Sequence, residues 1–298
     1  KKKKLGANAI LAVSIASCKL SAIENKVSLF KNIGDTDNYQ LPVPMLNIIN
    51  GGVHAKNNLE IQEFMIRPEN TGSFSEAMRR SFLVIQNLKN MIDNTNVGDE
   101  GGFSPNLKGT EEAIDIIKKA IVKSGFKPAQ DISICLDVAA NELCKPISLD
   151  YFTKLINKHS IKSIEDPFPE DDWDSWNKLT KSTNIQIVGD DLFATNIKRL
   201  QKGIQEKSAN TILVKLNQIG TVSETLKVID LAHKNGFKTI ISHRSGDSED
   251  TFIADLAVAT NSSQIKTGSL ARSERVSKYN RLLRIEEELG KSSKMAKI

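Results

Sequence analysis

Six short apolar runs end on side chains that can do chemistry: Asp137 in ISICLD, Glu165 in IKSIED, Asp190 in IQIVGDD, Lys215 in TILVKLN, His243 in TIISH and Lys266 in QIKTG. An earlier run, EIQEFMIRP, adds Gln62 and Glu63. One such charge is ordinarily half of a structural salt bridge. Six in phase with the strand period are harder to explain that way, because each unpartnered buried ion costs several kcal/mol. Asp137, Glu165 and Asp190 come from consecutive runs, and three carboxylates aimed at one point repel each other. A hard divalent cation with oxygen ligands, Mg²⁺, resolves the repulsion. Lys215 follows on the next run. Beside a metal and a second ammonium, supplied by Lys266, its pKa is expected to be depressed, which suits a general base. The competing reading makes Lys215 a counter-ion to the carboxylates.

Two loops add further groups. In NVGDEGGFSPN, Glu100 precedes Gly101 and Gly102, whose conformational freedom can aim a side chain; a plain glycine turn is the alternative. Glu100 is a candidate general acid on the face opposite Lys215, and His54 in INGGVHA has the same character. In TIISHRSGDSEDTF an apolar β-branched run stops at His243-Arg244-Ser245, an imidazole, a guanidinium and a hydroxyl that together suit an anion such as phosphate. An ordinary polar loop is the competing reading.

These groups need strands to position them. From residue 131 onward, β-branched runs alternate with amphipathic helical patterns, which implies parallel pairing with right-handed crossovers. One helix opens on a capping-box signature, Thr221 to Glu224, and stops at Gly236. Two earlier strands, LPVPMLNIIN and EIQEFMIRP, precede two helices, SFSEAMRRSFLVIQNLKNMI and GTEEAIDIIKKAIVKSG. Six units and two strands make eight, and an eight-stranded α/β barrel is the natural closure. A doubly wound open sheet is the alternative, but no GxGxxG or P-loop follows any strand. Residues 5–24 read as an alanine-rich helix, and a boundary is expected near residue 40.

Composition narrows the function class. The chain has 298 residues, a net charge of +5 and 5% aromatics. Scattered lysines without an arginine-rich stripe or stacking aromatics speak against nucleic acid as a partner. Cys18, Cys135 and Cys144 form no CxxC pair; Cys18 and Cys135 lie in apolar runs, as reduced core residues of a cytoplasmic protein would. No apolar stretch is expected to reach membrane-spanning length, and no signal peptide is evident. The opening KKKK reads as a loop at the start of an incomplete chain.

The motifs LGANAIL, PVPMLNIINGGVHA, IQEFMI, NVGDEGGFSPN, SIEDP, VGDDL, KLNQIG, SHRSG, IKTG and RSERVSKYNRLLRIEE, running from residue 5 to about residue 290, closely resemble the enolase family. The resemblance implies a glycolytic, Mg²⁺-dependent lyase, phosphopyruvate hydratase, which interconverts 2-phospho-D-glycerate and phosphoenolpyruvate. It implies metal ligands at Asp137, Glu165 and Asp190, with Asp191 the neighbouring acid and not a ligand. It places the base at Lys215, the acid at Glu100 with Glu63 and His54 beside it, and substrate contacts at Gln62, His243, Arg244, Ser245 and Lys266. A Lys or His base beside Mg²⁺ is the established pattern of the enolase superfamily. The family also implies a homodimer and an enolase-type (β/α)8 TIM-like barrel at 41–298. Residues 1–40 then correspond to the C-terminal helical part of an N-terminal α+β capping domain, most of which is absent from this sequence. The segment from Asn141 to Asp150 is shorter than the family's usual link. An acid-sugar dehydratase of the same superfamily fits SHRSG and NVGDEGG poorly. A catalytically weak enolase-like scaffold that binds partners is the reading from a different class.

Overall fold

The structure is a computed structural model that describes residues 4–298; Lys1 to Lys3 of the opening lysine run lie outside the described residues. Eight strands form one closed barrel in chain order: β1 (Val43–Asn50), β2 (Glu63–Pro68), β3 (Ile132–Asp137), β4 (Ser163–Glu165), β5 (Gln186–Gly189), β6 (Thr211–Val214), β7 (Lys238–Ser242) and β8 (Gln264–Lys266). Two helices precede the barrel, α1 (Ala7–Glu24) and α2 (Leu29–Ile33), and α3 (Phe74–Lys89) and α4 (Thr110–Lys123) join β2 to β3. The outer layer continues with α5 (Leu149–His159), α6 (Trp173–Ser182), α7 (Ile197–Glu206), α8 (Leu216–Ile219), α9 (Val222–Lys234), α10 (Phe252–Ala259) and α11 (Ser273–Leu289).

The expected barrel is present, with one feature the alternation did not reveal. Strand β2 runs antiparallel to both β1 and β3, while the other pairs are parallel. Its reversed direction puts its first residue, Glu63, at the end of the barrel where the parallel strands finish. Register confirms the placement: Glu63 pairs with Asp137, and Asp137 with Glu165.

Strand side chains alternate between faces, and the inward set forms three layers. The middle one is apolar: Met45, Met65, Cys135, Val188, Leu213 and Ile240 form a cluster of their own. Two residues away, at the closed end, Arg67 donates to Gln186 (2.7 Å) and Gln264 (2.9 Å). Two residues the other way lie Glu63, Asp137, Asp190 and Lys215. The same parity that seals the barrel therefore delivers its charges to the mouth.

Helix α9 starts as its capping box requires, with the Thr221 hydroxyl accepting from the Glu224 amide (3.3 Å). Between β5 and α7, the fully buried Phe193 ring fits against two glycines. A Cβ on Gly203 would come within 2.3 Å of the ring, and one on Gly189 within 2.6 Å. Alanine in a helix is favoured over glycine by about 1 kcal/mol, but overpacking a rigid core costs about 1–3 kcal/mol. The ring is bounded at both glycines, so overpacking wins. Gly203→Ala is expected to lower the urea midpoint; an unchanged or higher midpoint would show that Phe193 can move aside.

Helices α1 and α2 lie outside the barrel. Helix α1 packs on α8 and α9, with Ser14 Oγ accepting from the Val222 amide (3.0 Å), and α2 packs on α10. Leu11, Ile15 and Cys18 of α1 rest on the core, while Val13, Leu20 and Ile23 are exposed. The expectation that no stretch reaches membrane-spanning length is corrected here. Ala7–Glu24 is long and apolar enough by length and composition, criteria that soluble core helices and signal sequences also meet. Its isoleucines, leucines, valine and alanines sustain the hydropathy through Ser14, Ser17 and Lys19. Cys18 is half-buried rather than a core residue, Cys135 is buried and Cys144 exposed, all three as free thiols.

Candidate active site

A cavity of about 80 Å³ opens at the barrel mouth, lined by His54, Gln62, Glu63, Glu100, Asp137, Asp190, Lys215, Ser242, His243, Arg244, Ser245 and Lys266. Of the twelve expected site residues, only Glu165 is missing from this lining; it pairs in register with Asp137 and contacts Lys266.

Lys266, at the end of β8, is 3% exposed, and its ammonium reaches Asp137 Oδ2 (2.7 Å), Glu165 Oε1 (2.9 Å) and Glu63 Oε1 (3.2 Å). Burial disfavours its charge, but the surrounding carboxylates more than compensate and hold its pKa well above the ordinary lysine value. Lys215 Nζ is paired with Asp190 Oδ2. Burial is the largest single influence and lowers the Lys215 pKa, yet Asp190 and Glu165 together outweigh it and raise the pKa. The nearest charge to Lys215 here is the Asp190 carboxylate, whereas the expected depression concerns a Lys215 beside a metal. The counter-ion reading of Lys215 describes the geometry with Asp190 unshared.

Beyond the cavity's acidic wall, the carboxyls divide. Burial and then repulsion from Glu100 push Glu63 well above the usual range. Glu100 is also buried, but His243, with Nε2 at 3.3 Å from Oε2, and Lys266 hold it well below that range. The neutral form is thus favoured more at Glu63 than at Glu100. His54 Nδ1 lies 3.9 Å from Glu63 and 4.0 Å from Glu100. Asn47, on a largely apolar β1, donates to Glu100 Oε2 at 3.3 Å. Sequence reasoning missed it, although an Asn at 47 and another at 50 within a buried strand were the available signal. Arg244 and Ser245 sit exposed at the rim, with Arg244 Nη1 donating to Asn217 Oδ1 (3.0 Å).

The donor set fits a divalent cation. Glu63, Glu100, Asp137, Glu165, Asp166 and Asp190 are all buried, and Glu63 Oε2 and Glu165 Oε2 lack hydrogen-bond partners. Two ammonium groups cannot balance them, and all the donors are hard oxygens. Among the described residues, two sets of three have ligand atoms mutually within 4.8 Å: His54, Glu63 and Glu100 form one set, and Asp166, Asp190 and Asp191 the other. The expected triad is not so gathered, since Lys266 bridges Asp137 and Glu165 while Lys215 holds Asp190. Asp166, at a left-handed φ of 42°, was also missed. Its carboxylate accepts from the amides of Asp190 (2.9 Å) and Asp191 (2.8 Å), tying the end of β4 to that of β5.

The family model described as Enolase, C-terminal TIM barrel domain, matches residues 38–148 and 144–298. The chain belongs to the enolase family. The Enolase of Pelagibacter ubique (strain HTCC1062) is 62% identical over 316 residues, covering all of this chain and 76% of that relative. The family match breaks at residues 144–148, inside the segment expected to be short. There the chain makes one 3₁₀ turn, Ala140–Glu142, before α5 begins at Leu149. Asn141 fastens this turn, donating to Asp191 Oδ2 (3.0 Å) and accepting from the Glu170 amide (3.1 Å). That contact engages Asp191, whose carboxylate also lies near those of Asp166 and Asp190.

Proposed function

We propose that this member of the enolase family catalyses the reversible dehydration of 2-phospho-D-glycerate to phosphoenolpyruvate, with Lys215 as base and Glu100 as acid. The observation that carries the reading is one small cavity with the Lys215 ammonium on one wall and the carboxyls of Glu63 and Glu100 on another. Lys215 takes the C2 proton. The negative charge that builds on the substrate carboxylate is met by the Lys266 ammonium, a preorganised donor in a dry site. The hydroxyl leaves C3 as water with the proton held by the Glu63–Glu100 pair, and the C2–C3 double bond forms. Arg244 and Ser245 offer the phosphate a planar fork and a hydroxyl at the rim, Gln62 contributes a further polar contact, and His54 lies beside the acid pair.

Asp137, Glu165 and Asp190 would hold Mg²⁺, which when bound supplies electrostatic stabilisation of charge on the substrate carboxylate. The free thiols fit a reducing, cytoplasmic setting. The family resemblance carries a homodimer and assigns residues 1–40 to the end of a capping domain.

Phosphoenolpyruvate formation, followed by its ultraviolet absorbance, tests the reading. Activity is expected to require Mg²⁺, and Asp190→Ala is expected to lose most of the thermal stabilisation that Mg²⁺ confers by mass action. Full Mg²⁺ stabilisation of Asp190→Ala would remove Asp190 from the metal site. Absence of turnover with Mg²⁺ saturating would favour the scaffold reading.

A further inference from the structure

Arg275, in the first turn of α11, takes no part in the chemistry above, yet its side chain is fully buried. Its guanidinium gathers four acceptors from two loops. Nη1 donates to His243 Nδ1 (2.5 Å) and to the Arg244 carbonyl (2.7 Å). Nη2 donates to the Ser245 carbonyl (2.6 Å) and to the Asp99 carbonyl (3.2 Å). The first three acceptors belong to the turn after β7 that carries the phosphate grip, and the fourth immediately precedes Glu100. The exit of β8 is shaped around this side chain. At Gly268, with a φ of +76°, an added Cβ would come within 2.5 Å of the Glu100 carbonyl and 2.8 Å of Arg275 Cδ.

A guanidinium has five N–H donors, no acceptor, and stays charged at every relevant pH. A ring nitrogen facing it must therefore accept. Nδ1 of His243 carries no hydrogen, the ring is neutral, and its single hydrogen is on Nε2. Burial and the adjacent Arg275 and Lys266 charges favour the neutral ring, and they outweigh the pull of Glu100. Nε2 faces Glu100 Oε2 at 3.3 Å, close enough for charge–dipole attraction though its angle falls short of a full hydrogen bond.

We propose that Arg275 is a positioning residue that fixes the tautomer of His243, so that an Nε2–H is aimed at Glu100, and that clamps the backbone of Arg244 and Ser245 to the Glu100 loop. One cation thus sets the register between the acid and the phosphate grip. The catalytic half of this inference rests on the proposed role of Glu100; the tautomer half does not.

Nitrogen-15 NMR of the uniformly labelled chain reads the tautomer directly and needs no turnover. The His243 signals are assigned by their loss in His243→Gln. In the unaltered protein at neutral pH the ring is expected as the single Nε2–H tautomer, and an Nδ1–H or doubly protonated ring would overturn the proposal. Arg275→Met, checked for folding by circular dichroism, is expected to show a mixture of tautomers. Its ratio of dehydration to C2 proton exchange should fall by roughly 100-fold, the order of loss when a site group is misplaced by about 1 Å. Should Arg275→Met not fold, Arg275→Lys keeps the charge without the fork and is expected to shift both readouts in the same direction. A folded variant with the unaltered tautomer and ratio refutes the proposal. A shifted tautomer with an unchanged ratio also refutes the coupling to Glu100, while leaving the rest of the site assignment standing.

Discussion

Lys215→Ala is expected to reduce exchange of the substrate C2 proton with solvent by about 10²–10⁴-fold, the span over which a positioned general base acts, whereas Glu100→Gln should block dehydration and leave measurable exchange. The asymmetry follows from geometry. Lys215 leaves β6 next to Asp190, while Glu100 arrives on the loop before α4 and is held by Asn47, His243 and Lys266. With Asp190 as its ion-pair partner among the described residues, Lys215 favours its protonated form. A cation on Asp190 would remove that counter-ion and leave the Lys266 charge, which disfavours a second ammonium nearby. Proton removal would then come before loss of the hydroxyl, and the two variants should separate the steps. Deuterium exchange at C2 followed by NMR, beside phosphoenolpyruvate formation, is the measurement. Undiminished exchange in Lys215→Ala would remove it as the base, and equal loss of both steps in Glu100→Gln would deny the separation.

Much of this site was readable before the fold was known because a barrel converts sequence parity into depth. Residues 63, 65 and 67 on β2 are Glu, Met and Arg, and residues 133, 135 and 137 on β3 are Ser, Cys and Asp. In each case one end is acidic, the middle is apolar and the far end is polar. What parity cannot supply is strand direction: EFMIRP is buried along its whole length, so nothing in it distinguishes parallel from antiparallel. The antiparallel β2 is nevertheless why its first residue, and not its last, reaches the mouth. Nor does sequence say which carboxylate an ammonium chooses: Lys215 takes Asp190, while Lys266 takes Glu63, Asp137 and Glu165. Arg275 escaped notice because, inside RSERVSKYN, it looks like any charge on the exposed face of a helix. Only the packing of α11 under the turn after β7 turns it inward.

Lys266→Met is expected to carry the largest stability cost of the substitutions considered, about 3–5 kcal/mol without added metal, as for removal of one partner from a buried ionic cluster. Three carboxylates lose one shared ammonium, and no other cation among the described residues lies as close to Glu63, Asp137 and Glu165. Their only recourse at constant pH is to take up protons. Glu63 and Glu165 already stand well above the ordinary carboxylate range, first through burial and then through their acidic neighbours, and losing Lys266 pushes both higher. The folded variant then binds more protons than its unfolded chain between the ordinary carboxylate range and the raised values. Its stability must fall as pH rises through that window, and more steeply than that of the unaltered protein. Saturating Mg²⁺ binds the folded state and should restore part of the loss, because a cation can take the place the ammonium leaves. The same vacated carboxylates should bind Mg²⁺ more tightly in Lys266→Met than in the unaltered protein, where the metal competes with Lys266. Urea unfolding at several pH values in chelator, repeated with Mg²⁺ and accompanied by calorimetric titration of the metal, measures all three effects. An unchanged midpoint in chelator would mean that the cluster is already neutral by protonation, and weaker Mg²⁺ binding by the variant would mean that Lys266 organises the ligands rather than competing for them.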